Sequence, residues 1–569
     1  MNASPALSTR QILERRWFLI PTLALFVIAG GWLAAHRIFQ VDEVQTMHMA
    51  WLLSQADAGS YSNSSEMYMI PLSFLSRCFQ DPFAYMVACR FIFFALFAAS
   101  CVILARGVSD RSRPRFFGAL LLLGTTPILW DYGFEVRHDN VVILGLSIMI
   151  CVLINGRPGK TVGYLAVSSA LGGILFLSSY KSVVLWGPIL GYLALLSVIR
   201  DRVSILRVIA AVATGIVSAV ILALAGHLLL GSLPLYLKAS RSFFETIRTG
   251  PIRFFNWDYL RQFIYVHPWL IALSVLFLIL KAGRVVRGLF SGVAFRQNDP
   301  QAKRYMLLLL GPVFLALNPT PFPYNYMYVA VLVFPAVFHL TDQALTRSIV
   351  RRWIIIPALL LFQFAPGLIQ TLRHFYYSND TQRKITTFVN TFTEPEDCLF
   401  DGAGLAMFRK GPGEIWYLHS LNKAAYLAGD ILNVRDMLAC NPCPVLVKSY
   451  KWDFMLPDDF AFIRSRYVPF HQVIWILGCG IHPEAPGEYP FEIHRNGYYA
   501  VTTRTFGLPP TLKVDGVSVD SRPLFLRRGL HVLDIQTPSD KVFVLWTKND
   551  YEPLVSVPAV FQPVFINWY

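Results

Sequence analysis

Charge is scarce in this 569-residue chain: Asp, Glu, Lys and Arg together make up 15%, against 55% hydrophobic residues. With a mean hydropathy of +0.47, so apolar a chain is excluded from being one water-soluble domain. Acidic residues are the scarcer half, 35 against 50 Lys and Arg, which leaves a net charge of +15. That excess does not mark a nucleic-acid binder, because most of the cations sit in short loops between apolar runs, where they act as topology signals. A leader-peptide cleavage site is lacking after the first apolar run, which follows Arg10, Arg15 and Arg16, so that run is expected to stay as a membrane span. No internal repeat is evident, which counts against repeat-built transporters. No metal-ligand spacing motif occurs.

What is present is a series of apolar runs near the roughly 20-residue length that crosses a hydrocarbon core. Eleven spans are expected, at about 17–36, 84–105, 116–132, 139–155, 161–179, 183–199, 208–231, 265–281, 305–318, 325–340 and 353–371. Even-numbered connections are basic, for example Arg106, Arg111, Arg113 and Arg115 after the second span and Arg200, Arg202 and Arg207 after the sixth. The positive-inside rule then places the N-terminus in the cytoplasm and everything after 371 on the outer, periplasmic side of an inner membrane. Odd-numbered loops share that outer face. They carry Val41-Asp42-Glu43, Glu135 through Asp139, Ser178 through Lys181, the segment 232–264, and Asn318 through Tyr326. The 232–264 segment mixes Lys238, Arg241, Arg248, Arg253 and Arg261 with aromatics. It reads as an interfacial amphipathic helix, or as a lid whose cations meet a lipid phosphate.

Each charged residue has a plain reading when taken alone. Asp42 caps a helix running from Glu43 to Gln55. Asp139 or Asn140 caps the fourth span while Arg137 snorkels. Lys181 and Arg90 anchor span ends at the interface. Asp42, Glu43, His48 and His138 are metal ligands by type, and a divalent cation is left open as a cofactor.

Their order along the chain is more informative. Asp42-Glu43 follows the first span, Pro71 lies in a long first outer loop, and Arg90 opens the second span. Arg137-His138-Asp139 follows the third span, and Lys181 follows the fifth. This order resembles the family 39-type glycosyltransferases of the GT-C superfamily, which includes protein O-mannosyltransferases and the transferases that add aminoarabinose or galacturonic acid to lipid A. The resemblance covers residues 15–200 well and weakens through 371. The stretch from Asn318 to Tyr328, with Tyr324 inside it, takes the place of the family's Arg/His-Tyr…Pro loop but lacks its basic residue. Arg137-His138-Asp139 also carries His where Arg-Pro-Asp is usual.

The resemblance implies a GT-C-like polytopic helical domain over 1–371, using a polyprenyl-phosphate sugar as donor and a glycan, lipid or protein as acceptor. Asp42 would be the base and Glu43 its acceptor-positioning neighbour. Arg90, Arg137, His138, Asp139, Lys181 and Tyr324 would surround the donor's phosphate and sugar. The chemistry is coherent, since a sugar phosphate is already a good leaving group. One carboxylate takes the acceptor's proton, and cations face the departing phosphate. Unlike a glycosidase, such a site needs no general acid. A transporter or lipid flippase is the alternative from another class.

Beyond 371 the composition turns soluble. Residues 372–480 read as an α/β domain, with strands such as Pro444–Val447 and Val473–Leu477. Residues 481–569 read as a β-sandwich with strands at Tyr498–Thr502, Leu512–Val514, Val517–Val519, His531–Ile535 and Val542–Trp546. Asp515-Gly516 is a hairpin turn. The pattern around Gly497-Tyr498-Tyr499 and Leu526 through His531 is similar to carbohydrate-binding appendages on such transferases; a structural cap is the other reading. Cys78, Cys89, Cys101 and Cys151 read as packing residues. Cys398, Cys440, Cys443 and Cys479 fall outside the membrane, where disulfides are expected in any of three pairings.

Overall fold

A computed structural model describes residues 24, 26–57, 67–110, 112–157, 159–237, 256–290, 299–318, 322–347, 354, 357–405, 407–413, 423–429, 432–503, 512–520, 522–536, 541–548 and 564–565. Lys238, Arg241, Arg248 and Arg253 of the basic aromatic segment lie outside the described residues.

The first part of the chain is helical. In order, α1 is Phe26–His36, α2 Val41–Ser54, α3 Met69–Ser76, α4 Pro82–Val108, α5 Arg113–Gly124, α6 Pro127–Tyr132, α7 His138–Asn155 and α8 Thr161–Ser178. There follow α9 Val183–Ile199, α10 Ile205–Leu230, α11 Trp257–Val266, α12 Pro268–Phe290, α13 Pro300–Leu317, α14 Tyr326–Arg347 and α15 Ala365–Tyr376. Six helices among the described residues are long and apolar enough to cross a membrane, or seven if the bent pair α11–α12 is one span, and Phe26–His36 and Arg115–Gly124 are shorter apolar helices. The expected third span, 116–132, is broken. Pro127 cannot continue a helix, Thr126 before it is extended (φ −80°, ψ 111°), and two short helices result. The run at 305–318 belongs to a helix that starts at Pro300 and buries Lys303 and Arg304, which lowers its apolar character.

Small residues let α8 and α10 pack closely. A Cβ on Gly215 of α10 would stand 2.6 Å from the Ala166 carbonyl of α8, and one on Gly173 of α8 would stand 2.6 Å from the Ala219 methyl. Backbones approach this closely only without side chains, the usual device between membrane helices. On its other face α10 exposes Leu206, Ile209, Leu228 and Leu229.

Beyond α15 come α16 (Asp380–Phe392) and a sheet-rich region, with short helices α17 (Lys423–Ala428), α18 (Val434–Cys440) and α19 (Pro457–Arg466). Its strands are β1 Leu399–Phe400, β2 Val445–Val447, β3 Tyr467–Pro469, β4 Ile474–Ile481, β5 Gly487–Ile493 and β6 Gly497–Thr503. The remainder are β7 Leu512–Val514, β8 Val517–Ser518, β9 Leu524–Leu526, β10 Gly529–Ile535 and β11 Val542–Thr547. One sheet has the order β1-β2-β4-β11-β6-β9, with β3 also on β4, and the other the order β5-β10-β7-β8. Residue 480, the boundary expected from the sequence, lies inside β4. β4 pairs antiparallel with β11, Gly478 to Ile481 facing Leu545 to Val542, so the two regions share a sheet. Val514 and Leu533 of the second sheet lie in the same apolar core as Val447, Ile476 and Val544 of the first. The Asp515-Gly516 hairpin forms, both residues at positive φ (49° and 81°).

Cys398 is bonded to Cys443, while Cys440 and Cys479 are free. Tyr499 is fully buried and donates to the Arg495 carbonyl (2.7 Å), so it presents no face to a glycan. Tyr498 packs edge-on against the exposed Phe525.

Two short helices bind the halves together. Val44, Met47 and Leu53 of α2 and Ile70 and Leu72 of α3 share one apolar core with the sheet-rich region and with Tyr85, Met86 and Phe93 of α4 and Leu230 of α10.

Candidate active site

The acidic loop between α1 and α2 is fixed from both sides. Phe39 donates its N–H to Gln382 of α16 and accepts from the same amide, both at 2.8 Å. Ile38 donates to the Tyr377 carbonyl at 3.1 Å. From below, Arg90 of α4 meets Glu43 through two nitrogens at 3.0 and 2.5 Å and also donates to the carbonyls of Arg37 and Ile38. Neither side chain of that pair is exposed.

Glu43 accepts further from the Val136 N–H (3.2 Å) and from the Gln40 N–H (2.9 Å). Gln40, not Asp42, is thus the cap of α2, in a capping-box arrangement. A second buried pair, Arg37 with Glu135 at 2.9 Å, ties the loop to the turn before α7. With four acceptor contacts and no exposure, Glu43 holds the loop.

Asp42 is the exception. It sits in the first turn of α2 with its side chain 43% exposed, and Arg137 reaches it at 2.5 Å. Arg137, the N-cap of α7, also meets Asp139 at 3.2 Å. Lys181, on a short turn between α8 and α9, reaches Asp139 at 3.0 Å and the Asn325 side-chain oxygen at 2.8 Å. Both cations lie over the Tyr324 ring, Arg137 at 3.8 Å and Lys181 at 4.5 Å from its centroid. Asp139 accepts a further hydrogen bond from the Tyr328 hydroxyl and is 3.4 Å from His138.

Five distant stretches therefore meet at one end of the helical bundle. Asp42, Arg137, His138, Asp139, Lys181 and Tyr324 form one cluster. Glu43 and Arg90 lie behind it as support.

Two residues absent from the sequence-based set come from the sheet-rich region. A turn at Tyr450–Phe454 follows β2, capped by Ser449, and brings Tyr450 and Lys451 into the electrostatic range of Asp42. Burial lowers the Lys451 ammonium from its ordinary value, partly offset by Asp42. Burial, with Asp42 adding, pushes the Tyr450 phenol up. No local signal separates these two from other polar residues of a soluble loop. Asn325 and Tyr328, by contrast, lie in the stretch already singled out around Tyr324.

Of the metal-ligand types, Glu43 is taken by Arg90, and His48 is buried in α2, where burial holds it at about 3 against the weaker pull of Asp57. Among the described residues no group of three or more His, Cys, Asp or Glu side chains is gathered as a metal site.

The arrangement offers one accessible carboxylate beside two cations whose positions are set by buried partners. No family model and no curated protein matches the chain. Two solved structures of the Archaeoglobus fulgidus oligosaccharyltransferase are distantly similar. One, in complex with zinc and sulfate, is 10% identical with a TM-score of 0.40, over 85% of this chain and 72% of that one. The other, tethered to an acceptor peptide containing the NVT sequon through a disulfide, is 11% identical with a TM-score of 0.43, over 85% and 73%.

Proposed function

We propose that this chain is an integral membrane glycosyltransferase of the GT-C type. It moves a monosaccharide from a polyprenyl-phosphate donor to a hydroxyl of a glycan, lipid or protein on the non-cytoplasmic face. The observation that carries the proposal is the half-exposed Asp42 beside the buried Arg137 and Asp139 and the largely buried Lys181.

In the reaction, Asp42 accepts the proton of the acceptor hydroxyl. The acceptor oxygen attacks the anomeric carbon, and the bond from that carbon to the phosphate oxygen breaks. Its electron pair leaves on the phosphate, whose growing charge faces Arg137 and Lys181. A single displacement inverts the anomeric centre. Asp139, saturated by Arg137, Lys181 and Tyr328, orients the two cations and is not the base. The Tyr324 ring holds both cations from one side. Glu43 and Arg90 are positioning residues, because they fix the loop that carries Asp42. His138, 28% exposed, contacts the donor's sugar in this reading.

Purified protein in lipid vesicles, given radiolabelled polyprenyl-phosphate sugars and cell-envelope acceptors, tests the proposal against the transporter alternative. Label covalently attached to acceptor supports transfer. Label carried across the vesicle with no attachment to any acceptor would refute it.

A further inference from the structure

A cavity separate from the Asp42 cluster opens where α11 bends by 96° into α12. Asp131, Tyr259, Gln262, His267, Gln370 and Arg373 supply its polar lining. The proposed transfer uses none of them.

The state of His267 follows from its partner. Its Nε2 lies 3.3 Å from the Ile128 N–H, which can only donate, so Nε2 is the acceptor and the proton of the neutral ring is on Nδ1. His267 is 2% exposed, and its Nδ1 has no hydrogen-bond partner among the described residues. A buried N–H donor left unsatisfied costs about 1–3 kcal/mol unless a ligand or water takes it. Arg373, Gln262 and Tyr259 add further donors to the lining. Asp131 is the one carboxylate, held by Gln370 at 2.6 Å and His374 at 2.7 Å.

The surroundings say where such a ligand comes from. α11 exposes Trp257, Ile264 and Tyr265, and α15 exposes Leu368, Ile369, Leu372 and Tyr376. Both helices also line the cavity, and Arg373 lies in the last turn of α15. Aromatic and apolar side chains with an Arg at a helix end are the pattern of the membrane–water interface, where lipid phosphates lie.

We propose that this cavity is a lipid site that takes a phospholipid headgroup. The phosphate is held by Arg373 and the His267 N–H, and a headgroup donor, ammonium or hydroxyl, by Asp131. The inference does not rest on the transfer reaction.

Native mass spectrometry of the delipidated full-length protein tests it, with phosphatidylethanolamine, phosphatidylglycerol, diacylglycerol or inorganic phosphate added. The phospholipids should bind, and diacylglycerol and inorganic phosphate should not. H267F and R373Q should each weaken phospholipid binding about tenfold, the loss of one hydrogen bond to a charged group. H267Q, which keeps a donor, should bind better than H267F. D42N should bind as the unaltered protein does.

Equal binding of diacylglycerol would overturn the phosphate, and equal binding of inorganic phosphate would overturn the lipid. Unchanged binding in both H267F and R373Q, at unchanged melting temperature, would overturn the site. Loss of binding in D42N would instead place the lipid in the Asp42 cluster.

Discussion

At the scale of single residues, burial separates the members of the acidic loop. Asp42 and Glu43 are neighbours in sequence, yet one side chain is 43% exposed and the other fully buried against Arg90. A buried ion pair is costly to break on one side, by about 3–5 kcal/mol, because the remaining charge loses its partner. Arg90→Met should therefore lower the melting temperature sharply, while Glu43→Leu combined with Arg90→Met should recover most of the loss. If the single variant melts like the unaltered protein, the pair does not hold the loop. The carboxylates and cations of the cluster were legible because charge is rare and their order along the chain is specific. Lys451 and Tyr450 were not, since only tertiary packing of the β2 turn brings them near Asp42. Nor could the sequence assign Glu43 to support, because adjacent carboxylates look alike until the Arg90 contact is seen.

At the scale of elements, apolar alternation located strands well, and proline obscured one. β6, β7, β10 and β11 fall within two residues of their expected positions. β5 was missed because Pro490 interrupts its alternation of Tyr489, Phe491 and Ile493. Among the described residues β5 is the edge strand of its sheet, where a residue without an N–H is tolerated.

The hairpin beside β10 carries a pH-sensitive contact, His531 to Asp515 at 2.6 Å. Burial alone would lower His531, but the bonds to Asp515 and the Arg527 carbonyl raise it above its ordinary value. Burial would raise Asp515, but the bond from His531 draws it below the usual carboxylate range. The His531 contribution is thus complete below about pH 6.5 and fades as pH rises through its raised folded value. The Asp515 contribution is complete above about pH 4 and fades as pH falls. The contact is partly exposed, so the effect is at most about 1 kcal/mol. His531→Ala should flatten the fall in melting temperature above pH ~6.5; an unchanged slope would assign that fall to other groups.

At the scale of the whole molecule, the halves depend on each other. α2 and α3 share one apolar core with α4, α10 and the sheet-rich region, so that core spans both halves. Composition could place the change from apolar to mixed sequence near 371, but not the pairing of β4 with β11 across residue 480, since strand partners distant in sequence leave no local trace. A chain truncated after residue 480 should lose β11 from beside β4, expose a central strand edge and aggregate on purification. A stable, monodisperse truncated protein would show that the shared sheet is dispensable.

The central claim is that Asp42 is the base and its neighbours position it. It is tested most directly by the turnover of D42N with labelled polyprenyl-phosphate sugar, once the sugar and acceptor giving transfer are found. The account predicts a loss in kcat of about 10²–10⁴-fold, the range for general-base catalysis, with the melting temperature unchanged. Transfer at the unaltered rate would contradict it.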